Sequence, residues 1–149
     1  MSEEKSQRKV TVILAADVVG YSTMMETNEE QTFENLKVCR DIIDSLISEY
    51  HGRIFNTAGD SVIAEFQSAV DAVVCSSEIQ KTLKERNDSN DESKSMKFRV
   101  GVNMGDVVIE GDNLYGEGVN VAARLEALAQ PGGICLSKNV HEIVYNKTN

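Results

Sequence analysis

Four polar residues stand where the chain has no evident structural need of them. Asp17 follows the apolar run Val10 to Ala16, and Asp60 sits beside Gly59 in the turn Ala58-Gly59-Asp60-Ser61. Asn120 and Arg124 are four residues apart, hence on one face of a helix. The chemistry such types can offer is ionic, carboxylates and a guanidinium that act together only where they converge. Each also has an ordinary explanation. Asp17 could cap the next turn, Asp60 could be a turn residue, and Asn120 and Arg124 could be solvated helix surface. Spacing alone does not show that Asp17 and Asp60, 43 positions apart, meet.

Other chemistries lack their residues. The segment Gly111 to Gly118 (GDNLYGEG) has the glycine spacing of a phosphate-binding P-loop but carries Glu117 where the lysine must be. There is no HExxH, no GxSxG and no zinc-type Cys/His cluster. His51 falls at a helix end and His141 in the last helical segment, neither in a catalytic pattern.

The elements that must carry these residues follow from periodicity. Residues 10–16 (VTVILAA) are too apolar for a half-exposed strand and predict a central one. The loop Val18 to Ser22 follows, and Thr27 with Glu30 reads as a capping box. Leu36, Cys39, Ile43, Ile47 and Tyr50 then recur at spacings of three and four, predicting a long helix ended by Gly52. Arg53 to Phe66 predicts a hairpin, with Val62, Ala64 and Phe66 alternating on its return strand. Ser68 opens a second helix with Ala72, Cys75, Ile79 and Leu83 on one face, and residues 85–95 read as a surface loop. Phe98 to Val102 and Val107 to Ile109 predict paired strands across a Gly105-Asp106 turn. A third helix is expected over Val119 to Ala129, burying Val121, Leu125 and Leu128, before Pro131-Gly132-Gly133 stops it. A short strand, Ile134 to Leu136, and a helical segment, Val140 to Tyr145, complete the order. This pattern predicts an α+β ferredoxin-like sandwich, a mostly antiparallel sheet with helices packed on one face.

The balance of 15 Lys and Arg against 24 Asp and Glu gives a net charge of −9. That field disfavours nucleic acid and anionic lipid as partners. A polyanionic substrate would need metal ions or a local cation cluster. No stretch approaches the roughly 20 apolar residues of a membrane span. Three widely spaced cysteines (Cys39, Cys75, Cys135) without a CxxC read as small hydrophobes in a reducing cytoplasm.

Four segments then resemble one family. AADVVGYS (Ala15 to Ser22), NTAGDSVIAEF (Asn56 to Phe66), GVNMGDVVIEG (Gly101 to Gly111) and LYGEGVNVAARLE (Leu114 to Glu126) resemble, in order and spacing, the catalytic domain of class III nucleotidyl cyclases of the bacterial adenylate/guanylate type. The resemblance covers Val10 to Ile143. It implies a homodimer with active sites at the subunit interface, converting ATP to cyclic AMP and pyrophosphate. Two Mg²⁺ or Mn²⁺ ions per site would be held by Asp17, Asp60 and the Val18 carbonyl, a hard-oxygen set suited to such cations. The backbone of Gly20, Tyr21 and Ser22 would cradle the β- and γ-phosphates. From the opposite subunit, Asn120 would orient the ribose and Arg124 would neutralise charge on the α-phosphate.

Two positions depart from the family pattern. Adenylyl cyclases of this type read the purine with a lysine and an aspartate, and Asn56 and Asn113 stand there instead. An asparagine amide both donates and accepts, so it suits adenine or guanine. The likeness to bacterial members favours ATP, with GTP as the alternative. Family members also take a triphosphate-binding lysine from a C-terminal strand pair, and Lys138 and Lys147 stand too early for that role. Residues 1–9 accordingly read as a polar tail and residues 10–149 as the catalytic domain without that strand pair. The other reading is a non-catalytic nucleotide-binding or dimerisation module of the same fold. A GGDEF-type synthase is disfavoured, because Ala58-Gly59-Asp60-Ser61 does not match its hairpin.

Overall fold

The computed structural model describes residues 7–147. The chain opens with strand β1 (Gln7–Val18), which leads into a short helix α1 (Tyr21–Thr27) and a long helix α2 (Glu29–Glu49). The hairpin β2 (Arg53–Ala58) and β3 (Ser61–Phe66) precedes helix α3 (Ala69–Asp88). Strand β4 (Phe98–Glu110) turns back into β5 (Asn113–Tyr115) and helix α4 (Glu117–Leu128). Strand β6 (Ile134–Leu136) and helix α5 (Lys138–Val144) follow.

The sheet runs β2-β3-β1-β4, with β5 and β6 both paired to the far side of β4. Every pairing is antiparallel except β4 with β6. The expected α+β architecture is therefore the one that forms. Because strand side chains alternate, β1 divides its residues between two faces. Val12, Leu14, Ala16 and Val18 enter the main core with Phe66, Phe98 and the apolar faces of α2, α3 and α5. Ile13 and Ala15 form a second cluster with Val107, Leu114 and Ala122 of α4. Three helices thus take the single face expected, and α4 covers the other.

The helix α4 also turns a different side inward from the one its apolar residues suggest. Gly118, Ala122 and Glu126 are buried, whereas Leu128 is 73% exposed. The reason lies in the strand beneath. A Cβ on Gly101 would meet the Glu126 backbone and come within 2.6 Å of the Ala122 carbonyl oxygen. Backbone that close admits only small side chains, so Val121, Leu125 and Leu128 are turned away from the sheet.

Gly105-Asp106, expected as a turn, instead lies inside the continuous strand β4. Gly105 pairs with Thr11 and Asp106 with Val10. The glycine answers to α4, because its Cβ would stand 3.1 Å from the Gly118 Cα. Asp106 faces Arg8, whose Nη1 donates to its carboxylate at 2.7 Å. The real turn is at Gly111-Asp112, between β4 and β5.

Smaller boundaries also move. Asn28, not Thr27, caps α2, accepting from the Gln31 N–H at 3.1 Å. His51 rather than Gly52 takes the left-handed conformation after α2, at φ 71°. Ser68 caps α3 as expected, accepting from the Asp71 N–H. That helix runs to Asp88, and a 3-10 turn spans Glu92–Lys94, so the expected loop 85–95 is shorter. Residues 7–9 of the expected polar tail belong to β1, and residues 1–6 lie outside the described residues. The three cysteines are unpaired. Burial, the main influence, pushes the Cys75 thiol up to about 12, as befits a packing residue. Among the described residues no helix is long and apolar enough to cross a membrane.

Candidate active site

The end of β1 is held from both sides. From one side the hairpin tip reaches it, where Asp60 Oδ2 accepts the Val18 N–H at 2.9 Å. From the other, the Val19 N–H donates to the Lys97 carbonyl at 2.9 Å, just before β4 begins. Val18 itself is buried in the main core, so the alternation turns Asp17 to the opposite face, toward α4. The two aspartates are thereby brought to one place, 43 positions apart in the chain.

A third carboxyl closes on them from α4. Glu126 is only 7% exposed and is hydrogen-bonded to the Asp17 side chain. Its pKa is pushed up to about 8, first by burial, then by the hydrogen bond and charge of Asp17, with Asp60 adding and Arg99 opposing. At neutral pH Glu126 therefore stays largely protonated beside Asp17. Arg99 pairs directly with Asp17 across the β1–β4 ladder, and its Nε is buried with no hydrogen-bond partner. The result is a half-buried cluster of three carboxyls and one guanidinium.

Glu126 and Arg99 were not singled out from sequence. The usable signal for Glu126 was a charged residue eight positions after Gly118 and four after Ala122, on the small-residue face of α4. Apolar Val121, Leu125 and Leu128 concealed it by suggesting another buried face. For Arg99 the signal was a cation alternating with Phe98 and Val100 in an otherwise apolar strand.

The donor set suits a hard dication. Asp17, Asp60 and the Val18 carbonyl are oxygen donors of the kind Mg²⁺ and Mn²⁺ take. Burial contributes most to the raised Glu126, and the charges of Asp17 and Asp60 that add to it are ones a cation would offset. Among the described residues no three His, Cys, Asp or Glu side chains form a metal cage by themselves.

The other predicted residues fall into three places. Gly20, Tyr21 and Ser22 lie just past Val18, where Gly20 (φ 69°) bends the chain into the first turn of α1. Asn56 is exposed on β2, next to Phe55. Asn113 is half-buried in β5, its Oδ1 accepting from the Leu114 N–H at 3.0 Å and its Nδ2 donating to Tyr115 Oη at 3.1 Å. Arg53, Ile54, Phe55, Asp112 and Asn113 line a depression of about 490 Å³ between β2 and β5.

Asn120 and Arg124 are exposed on α4. At about 100° per residue they point almost opposite to Gly118, Ala122 and Glu126. Within one chain they are therefore not brought to Asp17 and Asp60. Beside them the same outward surface carries half-exposed Val121 and Leu125 and exposed Leu128. Neither histidine belongs to the cluster: exposed His51 faces Asp71 at 3.4 Å, and His141 packs against Tyr145.

The sequence profile of the adenylate and guanylate cyclase catalytic domain matches residues 2–149. This chain belongs to that family. A Rhizobium meliloti (strain 1021) protein provisionally named adenylate cyclase 3 is 43% identical over all of this chain, which spans 26% of that protein's length. The crystal structure of an adenylate/guanylate cyclase/hydrolase from Silicibacter pomeroyi superposes with a TM-score of 0.90 at 39% identity, covering 97% of this chain and 85% of that one. The guanylyl cyclase Cya2 gives a TM-score of 0.82 at 25% identity, covering 93% of this cyclase domain and 80% of that chain. The adenylyl cyclase CyaB of P. aeruginosa gives 0.84 at 23%, covering 97% and 84%, a likeness of fold alone.

Proposed function

We propose that this cyclase domain makes cyclic AMP from ATP at a site shared between two copies of the chain. The observation that carries the reading is the bond from the Val18 N–H to Asp60, which joins the hairpin tip to the end of β1 beside Asp17. A dead relative would have no physical need to hold two carboxylates there against their mutual repulsion.

In the reaction the ribose 3′-hydroxyl attacks the α-phosphorus in line, the bond to the bridging oxygen breaks, and pyrophosphate leaves. Asp17, Asp60 and the Val18 carbonyl would hold the two divalent ions, which supply Lewis-acid stabilisation of the phosphates and a lowered pKa for the 3′-hydroxyl. The backbone around Gly20, Tyr21 and Ser22 would bind the β- and γ-phosphates. The orphaned Arg99 Nε offers a further donor to an anion at the same end. Asn120 would orient the ribose, and Arg124 would meet charge growing on the α-phosphate, a role worth about 10³ in rate.

Support for a shared site comes from α4. It turns Asn120 and Arg124 away from its own chain's carboxylates and sets them beside an apolar stripe suited to a second copy. Asn56 and Asn113 would read the base. The preference for ATP rests on the Rhizobium relative's name, with GTP the alternative.

Complementation tests the reading. Asp60→Asn and Arg124→Ala chains should each be inactive with Mn²⁺ and ATP or GTP, and mixing them should restore activity, since the heterodimer keeps one intact site of two. Demonstrated heterodimers with no recovered activity would refute the shared site. A parallel readout needs no turnover. Mn²⁺ should raise the unfolding midpoint of the native chain but not of Asp17→Ala or Asp60→Asn.

A further inference from the structure

One arginine outside the catalytic cluster ties three strands to the turn that leads into Asn113. Arg53, the first residue of β2, donates through Nη1 to the Asp112 carbonyl at 2.7 Å and through Nη2 to Glu65 Oε1 at 3.1 Å. The Asp112 carbonyl belongs to the peptide that enters Asn113, so the bond fixes that residue's backbone directly. The guanidinium also lies 5.9 Å over the Phe55 ring, one residue before Asn56.

The anchor behind Arg53 is rigid. Glu65 is 4% exposed and is also held by Thr11 Oγ1 at 2.7 Å and Lys9 Nζ at 2.8 Å. A charged side chain kept this dry needs paired donors, and here β1 and β2 supply all three. The planar guanidinium is the side chain that can grip a carboxylate and a carbonyl at once. Nothing in the stability of β2 requires it to reach across to the β4–β5 turn, because β2 already pairs along β3.

We infer that Arg53, braced by Glu65, is a positioning residue that sets base selection by holding Asn113 at a fixed distance from Asn56. The inference rests on the base-reading role proposed for those two asparagines. Without the clamp, the Gly111-Asp112 turn and the start of β5 lose their only side-chain tie to β2 among the described residues, and the two amides no longer present a fixed pattern to a purine edge. Arg53 itself touches no reacting atom. Its loss should change which nucleotide is preferred rather than disable the phosphate chemistry.

The test is equilibrium binding of ATP and of GTP to the full chain with Mn²⁺, alongside kcat and KM for each. The variants are Arg53→Ala, Arg53→Lys, Asn113→Ala and the double variant Arg53→Ala/Asn113→Ala. Arg53→Ala should shift the ATP-to-GTP affinity ratio about fivefold to tenfold, one hydrogen bond's worth, with the change in KM and not kcat. Arg53→Lys, which keeps one of the two bonds, should fall between; it also serves if Arg53→Ala does not fold. In the Asn113→Ala background, removing Arg53 should leave the ratio where it is. An unchanged ratio in both Arg53 variants, an equal loss for both nucleotides, or the same shift with and without Asn113 overturns the inference. An unchanged ratio in Asn113→Ala alone overturns instead the base-reading role beneath it.

Discussion

The two faces of the central sheet are made by the same strands and packed by different means. Toward α2, α3 and α5 they present Leu14, Phe66 and Phe98, which with Ile43 and Ile79 are at most 1% exposed. Water is excluded there by the volume of large side chains, each worth about 1.5–3 kcal/mol on burial. Toward α4 the strands present Ala15, Asp17, Arg99 and Gly101, and the helix answers with Gly118, Ala122 and Glu126. Ile13, Val107 and Leu114 fill part of that face, but around Gly101 water is excluded by closeness of backbone, which leaves no room there for large groups and sets the charged ones at the edge. The difference teaches a division of labour. One face supplies the stability that lets the other hold carboxyls whose repulsion opposes folding.

Substitutions can break that division or sharpen it. Asp17→Ala should cut Mn²⁺-dependent turnover by roughly a thousandfold, several kcal/mol of transition-state stabilisation. Its unfolding midpoint at neutral pH should not fall, because Glu126 loses a charged neighbour; calorimetry beside a product assay reads both. A parallel fall in midpoint would mean that the faces are not separable. On the opposite face, Phe66→Ala should cost about 3–5 kcal/mol in denaturant unfolding.

Ala122→Leu tests the close packing itself. Added volume where Gly101 meets the helix backbone should cost about 1–3 kcal/mol and, by shifting the helix that carries Asn120 and Arg124, also lower turnover. A neutral outcome would show that α4 can lift without loss.

The smallest expected effect concerns acid. Burial alone would raise the Glu65 carboxyl, but hydrogen bonds from Lys9, Thr11 and Arg53 outweigh it and hold the group below its ordinary 4.5. A carboxyl lowered on folding stabilises fully above its unfolded value, and that part is lost as pH falls through the lowered one. Below pH 4.5 the native chain should therefore lose stability more steeply than Glu65→Gln, as read by urea unfolding at stepped pH. Equal slopes would mean that the three donors do not act on the ionised form.

Much of this was legible in the chain. The core positions Cys39, Ile43 and Ile47 of α2, and Ala72, Cys75 and Ile79 of α3, recur at helical spacing because each element is amphipathic on its own. The hairpin tip at Gly59-Asp60 and the Ser68 cap are local chemistry and were readable as such. The Gly105-Asp106 pair misled because a turn signal and a helix-crossing glycine look alike until a helix is known to lie there. Arg53 and Glu126 were invisible for the same kind of reason. Their partners, Asp112 and Asp17, are respectively 59 and 109 positions away.

The sequence by itself determined the elements, their order and the family, since these follow from periodicity and from residues close in the chain. Only the tertiary structure decided that Asp60 reaches Val18, that Glu126 is hydrogen-bonded to Asp17, and that Asn120 and Arg124 point outward. Each depends on which face of a strand or helix is turned inward. That choice was settled by how closely two backbones can approach, a property of the packed pair that no single segment carries.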